Sequence, residues 1–518
     1  LTCGSTCCPS PLSNFLVLVI ALTVLLFHHL PKARSFMASE AQSLEVFFFP
    51  YMGHGHIIPT LDLAGLFASR GVTATVVTTP GNASLVRPAI DRANQSGYRM
   101  RLLLIPFPSS KAGLPEGCES ATSVPPELTI NFLKSTALLR DPFEQLLRDH
   151  SPDCIVSGAF FPWTADVARD LGIPRLVFHG TSFFALCVIE ALHGLAPKEG
   201  DETFTVPGLP HRIELYSSQI TDVGRSTPEL LGIFEKMRES EDRSYGVVVN
   251  SFYEMEPEYD DHYRKVVGRK AWHIGPVSLC NEDDDERAAR GGKGAVDQAS
   301  CLNWLAAKEP SSVLYVYFGS VCRFTTAQLR EITVGLESSG HPFIWVVRNG
   351  GGQGDPSEWL PEGFEERTAG KGMLIRGWAP QVLLLNHEAV GGFLTHCGWN
   401  SSLEVVAAGV PMVTWPMFAD QFSNEKLLVE VLRVGVPVGV KRFAMREEER
   451  PLVSAEEVAR AVEVLMGGDQ GAEERRRRAR ELKEAARRAV KEAGSSYDDM
   501  GRLIQELQEQ KRPKRVPC

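Results

Sequence analysis

The chain has 518 residues, 43% of them apolar and 23% charged, with a formal charge of −10 at pH 7. That length exceeds one ordinary hydrophobic core and points to two domains of a soluble globular protein. The acidic balance argues against a protein that grips nucleic-acid phosphates, which needs a basic face.

The elements follow in chain order. "NFLVLVIALTVLLF" (14–27) is apolar but short for a membrane span, and no Lys or Arg precedes it as a secretory leader requires. Met37 opens "MASEAQSLEVFFFPY" just ahead of the first strand-like run. Residues 1–42 are therefore expected to be a leader outside the fold, with a signal-anchor at 15–27 as the alternative. From Leu44, "LEVFFFP" predicts a strand and "IIPTLDLAGLFASRG" a helix ending at Gly71. "VTATVVTTP", "MRLLLIPFP", "DCIVSG" and "PRLVFHG" read as further strands, with a helix over "FPWTADVARDLG". After "AWHIGPV" comes "NEDDDERAARGGKGAVDQ", which has no periodicity and is expected to be a linker over 281–298. A second alternating series then runs through "SSVLYVYFGS", "PFIWVVR", "GMLIRGW", "AVGGFLTH", "PMVTWP" and "GVPVGV". Near the end, "EERRRRARELKEAARRAVKEA" mixes both signs at helical spacing, as a solvated helix face does.

Strand–helix alternation implies parallel sheet with crossover helices. The expected fold class is α/β, with two open Rossmann-like domains at 43–280 and 299–495 and a C-terminal helix and tail at 496–518. Ligands of such sheets bind outside the carboxyl ends of the strands, here after Pro50, Ser320, Arg376, Thr395 and Trp415. The cysteines, eleven in all, show no C-x-x-C pairing, which supports neither a zinc ribbon nor a disulfide framework.

Two stretches carry chemistry. In "GHGHIIP" (53–59) two histidines lie one residue apart between glycines that permit a tight turn. A neutral imidazole poised near physiological pH suits a general base, and no G-x-G-x-x-G follows to make a dinucleotide loop. The second stretch is "WAPQVLLLNHEAVGGFLTHCGWNSSLEVVAAGVPMVTWPMFADQ" (378–421). Here "GGFLTH" reads as a buried strand, "CGW" as a turn, and "NSSLEVVAAG" as a helix closed by Gly409. His396, Asn400 and Ser401 thus lie at a strand end and a helix N-terminus, where free N–H groups and the helix dipole suit an anion such as phosphate. The competing reading is a plain cap, because Ser401 and Glu404 match the capping-box pattern. His396 and Cys397 should diverge on a strand end, and no zinc-type spacing surrounds them.

The 378–421 stretch resembles the signature box of plant secondary-product UDP-glycosyltransferases at its key positions, and "FFFPYMGHGHIIPTLDLA" resembles the same family. The resemblance implies the GT-B arrangement: two Rossmann-like domains facing a cleft, acceptor on the N-terminal side and nucleotide sugar on the C-terminal side. It further implies that Trp378 stacks on uracil, Gln381 lies near base and ribose, and Glu404 takes the ribose hydroxyls. His396, Asn400 and Ser401 would hold the diphosphate, with Ser320 a further phosphate contact. Asp420 and Gln421 would bind sugar hydroxyls, with Trp399 nearby. A final Gln goes with glucose in this family, so the implied donor is UDP-glucose, with no metal or other cofactor. "GLPEGCES" and "CLNWLAAKEPSSVLYVYFGS" resemble the branch acting on flavonoids, coumarins, terpenoids and related hormones, so the partner acceptor is expected to be a small lipophilic molecule with a hydroxyl.

His56 of the "GH-x-x-P" motif is the implied catalytic base, and His54 a loop residue or minor pocket contact. One position departs from the family. An Asp that orients the base is expected at the strand end before "FFPW", and this chain reads "PDCIVSGAFFPW" with Gly158 there. Asp153 and Asp166 are not obvious substitutes. The expectation therefore divides between an inverting glucosyltransferase using His56 and a weakened UDP-sugar-binding pseudoenzyme. A Rossmann oxidoreductase lacks its glycine fingerprint. Acceptor choice is expected to reside in loops near 108–130 and 180–230. Phe160, Phe161, Phe183 and Phe184 either line an apolar pocket or belong to the core. A glycan at the Asn400-Ser401-Ser402 sequon would obstruct the phosphate site, which agrees with a cytoplasmic location; a monomer without stable membrane insertion is the accompanying expectation.

Overall fold

Short runs of β-branched and aromatic residues set the strands, and the computed structural model describes residues 43–195, 203–220, 228–292, 298–347 and 356–511. The leader and signal-anchor readings lie outside the described residues, as do 293–297 of the expected linker and 512–518 of the tail. The first half contains β1 (Glu45–Phe49), β2 (Thr73–Thr78), β3 (Met100–Leu104), β4 (Cys154–Gly158), β5 (Arg175–His179), the short β6 (Thr203–Thr205) and β7 (Glu214–Tyr216), β8 (Gly246–Val249) and β9 (Ala271–His273). The second contains β10 (Val313–Tyr317), β11 (Phe343–Val347), β12 (Gly372–Arg376), β13 (Val390–Thr395), β14 (Met412–Thr414) and β15 (Gly435–Pro437). Seven strands pair in the order β3-β2-β1-β4-β5-β8-β9 and six in the order β12-β11-β10-β13-β14-β15, while β6 and β7 form a separate two-stranded sheet. Every pairing in the two large sheets is parallel. The α/β expectation holds.

Parallel sheets bury both faces, which is why their strands read as continuous apolar runs. In β1, Val46 and Phe48 pack with Ile57, Leu61, Ala64 and Phe67 of the helix His54–Ser69. Phe47 and Phe49 point the opposite way, as period-2 geometry requires. The Phe49 ring stacks on Phe161 at 4.2 Å and on Phe143 at 4.6 Å. Burying one such side chain is worth about 1.5–3 kcal/mol, so this aromatic column anchors the end of β1 that leads to the site.

Two expectations change, and the expected C-terminal helix finds its place. The histidine turn is not a loop: helix begins at His54, so both histidines occupy its first turn. The 281–298 stretch is not structureless, since Asp283 caps a helix Asp284–Ala289 by accepting from the Glu286 N–H at 2.8 Å. The C-terminal helix Ser495–Glu509 packs on the first sheet, with Met500, Leu503, Ile504 and Leu507 in the same core cluster as Phe48 and Trp272. Asp499 fixes it there by accepting from the His273 N–H at 3.0 Å and from Arg264 at 2.9 Å.

Both large sheets reverse direction once. In the first, β1 leads outward to β2 and β3 and the chain then returns to β4 beside β1. In the second, β10 leads to β11 and β12, and β13 returns beside β10. The loops leaving β1, β4, β10 and β13 therefore mark the switch point of each sheet, where doubly wound sheets bind ligands. The histidine motif, Gly158, Ser320 and His396 all lie at or just beyond these strand ends.

Candidate active site

His56 lies in the first helical turn after β1, partly covered by two rings. Tyr51 meets it edge-on at 5.2 Å and Phe160 at 5.5 Å. Burial, with a smaller contribution from neighbouring His179, holds its pKa down at about 4. Its imidazole is thus neutral throughout the physiological range. Among the described residues, no side chain hydrogen-bonds its ring. Gly158 ends β4, and a Cβ added there would meet the Tyr51 backbone nitrogen at 3.5 Å and its Cβ at 3.8 Å, which is ordinary contact. Asp153 sits at the opposite end of β4, accepting from the Glu45 N–H at 2.8 Å. Asp166 pairs with Arg169 at 3.0 Å. Neither carboxylate supports His56. His54 instead lies beside the donor half, its ring 5.6 Å from that of Trp378. Of the four phenylalanines, Phe161, Phe183 and Phe184 are core residues with no exposure, and only Phe160 reaches the histidine.

Across the crevice, β13 ends at Thr395 and helix Trp399–Ala408 begins after Gly398, with Gly409 closing it at φ 76°. The capping-box reading is overturned. Gly398 is the N-cap, no side chain caps the helix, and Ser401 already lies in the first turn. Its leading N–H groups are therefore uncapped by any side chain and, with the helix dipole, favour an anion. His396 is buried, and its ring is clasped by glycines. A Cβ at Gly319 would come within 2.5 Å of Nε2, and one at Gly398 would collide with the same atom. Burial lowers the His396 pKa to about 4, and its Nδ1 has no hydrogen-bond partner. Ser320 follows Gly319 in the same loop after β10.

Glu404 is freed from capping and faces outward from the helix. Its carboxylate accepts from Gln381 Nε2 at 2.7 Å and from Arg290 Nη1 at 2.5 Å. Gln381 also donates to Ser401 Oγ at 3.2 Å, while Gln381 Oε1 and Trp378 Nε1 are buried without partners. Buried unpaired polar atoms cost about 1–3 kcal/mol each, so these two orphans suit a place for a polar ligand. Asn400 donates from Nδ2 to the Gly55 carbonyl at 2.6 Å, joining the helix N-terminus to the residue before His56. Trp399 is buried, its indole N–H spent on the Asn250 carbonyl at 2.7 Å, which makes it a strut between the halves. Asp420 accepts from Thr181 Oγ1 at 2.5 Å and from Asn424 at 3.0 Å, and burial raises its pKa. Gln421 Oε1 accepts the N–H groups of Met417 and Phe418 at 2.8 Å and 3.1 Å.

Several participants carry no sequence signal. His179, at the end of β5, bonds Glu241 at 2.6 Å and forms a histidine–carboxylate pair at this crevice. Burial alone would raise Glu241, but His179, Arg269 and the Tyr263 hydroxyl outweigh it and bring its pKa to about 2. Arg290 comes from the stretch read as linker. Only contact across the fold reveals either residue. Among the described residues, no group of three or more His, Cys, Asp or Glu side chains could hold a metal ion. No helix among them is long and apolar enough to cross a membrane.

Two parallel switch-point sheets facing one crevice, with an uncapped helix N-terminus opposite a half-buried neutral histidine, define the architecture of a nucleotide-sugar transferase of the GT-B type. A profile of the family described as UDP-glucoronosyl and UDP-glucosyl transferase matches residues 297–466. Scopoletin glucosyltransferase of Nicotiana tabacum is 50% identical over 471 residues, covering 90% of this chain and 98% of that protein. UDP-glucose flavonoid 3-O-glucosyltransferase 7 of Fragaria ananassa is 49% identical over 480 residues, covering 90% and 97%. The crystal structure of Glycyrrhiza uralensis UGT73P12, complexed with glycyrrhetinic acid 3-O-monoglucuronide, superposes with TM-score 0.84 at 40% identity over 90% of this chain and 96% of that one. The chain belongs to the plant UDP-glycosyltransferase family and is a UDP-glucosyltransferase.

Proposed function

We propose that this enzyme moves glucose from UDP-glucose to a hydroxyl of a small lipophilic plant acceptor, of the flavonoid or coumarin kind, with inversion at the anomeric carbon. His56 takes the acceptor proton as the oxygen attacks. The bond from the anomeric carbon to the UDP oxygen breaks on the opposite face, and UDP leaves with the electron pair. Its charge meets the uncapped N–H groups of helix Trp399–Ala408 and the His396 loop, in the way helix N-termini generally bind phosphate, so this reading needs no metal. Trp378, Gln381 and Glu404 take the nucleoside, and Asp420 and Gln421 the sugar hydroxyls.

The observation that carries the reading is the direct reach across the crevice, Asn400 to the Gly55 carbonyl at 2.6 Å. It brings an anion-binding helix end next to the turn that bears a neutral histidine. A positioned base is worth about 10²–10⁴-fold in rate. The weakened-enzyme reading retains one support: Gly158 supplies no carboxylate, and no described side chain hydrogen-bonds the His56 ring.

The test is UDP release from UDP-glucose over a panel of phenolic acceptors, comparing wild type, His56→Ala and Gly158→Asp. Turnover that survives His56→Ala unchanged would sink the mechanism. A wild type that binds UDP without turnover would establish the pseudoenzyme.

A further inference from the structure

The stretch 281–292 lies across the surfaces assigned above to the nucleoside. Arg290 bridges two buried carboxylates from opposite halves of the fold: Asp62 on helix His54–Ser69 at 2.8 Å and Glu404 on helix Trp399–Ala408 at 2.5 Å. All three side chains are nearly buried, with exposures of 10%, 8% and 7% for Arg290, Asp62 and Glu404. The next residue, Gly291, adopts φ +84°, and a Cβ there would collide with the six-membered ring of Trp378 and come within 2.9 Å of Ile58 Cδ1. Its backbone therefore lies flush on the indole. Asn281, at the start of the stretch, donates to Asp62 Oδ1 at 3.1 Å and ties that end down.

We propose that Arg290 sets donor affinity: it holds Glu404 in the donor-free enzyme, and the ribose of a UDP-sugar must displace it. The inference rests on the reading that Trp378 and Glu404 take the nucleoside. A carboxylate engaged by a guanidinium at 2.5 Å and only 7% exposed offers little access to ribose hydroxyls, and an indole under the Gly291 backbone is not fully open to a base. Asp62 makes the exchange affordable. When Arg290 lets go of Glu404 it remains paired with Asp62, so no buried cation is stranded, whereas an unpartnered one would be costly. Glu404 in turn keeps Gln381 and gains the ribose. A first ligand contact is thereby coupled to withdrawal of the 284–292 backbone from Trp378 and Glu404, with Arg290 still anchored on Asp62.

The experiment compares Arg290→Met, Glu404→Gln and the double variant by calorimetric titration with UDP and with uridine. Arg290→Met should tighten UDP by about 10-fold, the scale of one charge-assisted hydrogen bond, and should lower KM for UDP-glucose correspondingly. Uridine should gain by the same factor, because the contest is at the ribose. In the Glu404→Gln background the Arg290 substitution should change nothing. Weaker or unaltered UDP binding by Arg290→Met overturns the proposal, as does a gain confined to UDP. A readout on unsubstituted enzyme guards against misfolding: UDP should speed amide hydrogen exchange over 284–292, and protection there overturns the proposal. If wild type binds neither UDP nor uridine, the nucleoside-site reading itself falls. If it binds both and Arg290→Met changes neither, only the role of Arg290 falls.

Discussion

Restoring a carboxylate at position 158 is the sharpest perturbation available. Gly158 is the last residue of β4, and the space for a Cβ already exists, with Tyr51 at 3.5 Å and 3.8 Å. The Tyr51 ring in turn lies 5.2 Å from that of His56. A carboxylate brought near a histidine stabilises its imidazolium and raises the pKa by about 1–3 units, or about 1.4–4 kcal/mol. Starting from about 4, the pKa of His56 in Gly158→Asp should move up toward its ordinary range. If half of a two-unit gain in basicity is expressed in the transition state, the rate rises about 10-fold. The assay is the pH profile of kcat/KM for a phenolic acceptor. The wild-type acidic limb should fall through about pH 4, because only neutral His56 accepts a proton, and in the variant that limb should move to higher pH with a higher plateau. An unmoved limb with an unchanged plateau would refute the electrostatic argument.

Removing the imidazole by His56→Ala should lower kcat by about 10²–10⁴-fold and leave UDP affinity within a factor of a few, as turnover and titration would measure. Gly319→Ala should weaken UDP binding and lower Tm, since the new methyl group meets His396 Nε2 at 2.5 Å and the backbone stands at φ +77°. Left-handed backbone alone costs a non-glycine residue about 1–2 kcal/mol. Activity should be insensitive to EDTA, measured as initial rate before and after dialysis against chelator; loss restored by a divalent cation would assign the diphosphate charge to a metal.

Much of the fold could be read from the chain because buried parallel strands leave continuous runs such as "EVFFF" and "VLYVY" between helical stretches. What escaped was short or ambiguous. β8 is a four-residue GVVV run, and β6 and β7 span three residues each, too few for a periodic signal. Gly53 and Gly55 disguised the start of helix His54–Ser69, which reads from the sequence as beginning at Ile57, because glycines ordinarily punctuate loops. At Ser401 the pattern misled in the other direction: a capping box is read from spacing, but this helix starts at Trp399, which releases Glu404 toward Gln381 and Arg290. Asp153, by contrast, agrees with the expectation that it is no substitute for the missing carboxylate, since it lies at the far end of β4 on the Glu45 N–H. Arg290 and His179 were unreadable because their partners, Glu404, Asp62 and Glu241, are 62 to 228 positions away.

The return of helix Ser495–Glu509 to the first sheet has a consequence for anyone recombining these enzymes. The chain's last helix supplies part of the wall behind β9, through Asp499 on the His273 N–H and Ser496 on the Gly275 carbonyl at 2.6 Å. A chimera cut only at the segment between β9 and β10 would therefore graft a foreign tail onto the acceptor half. A faithful exchange of specificity needs a second junction near Gly494, so that the donor module is inserted as a cassette and the tail travels with the residues it covers.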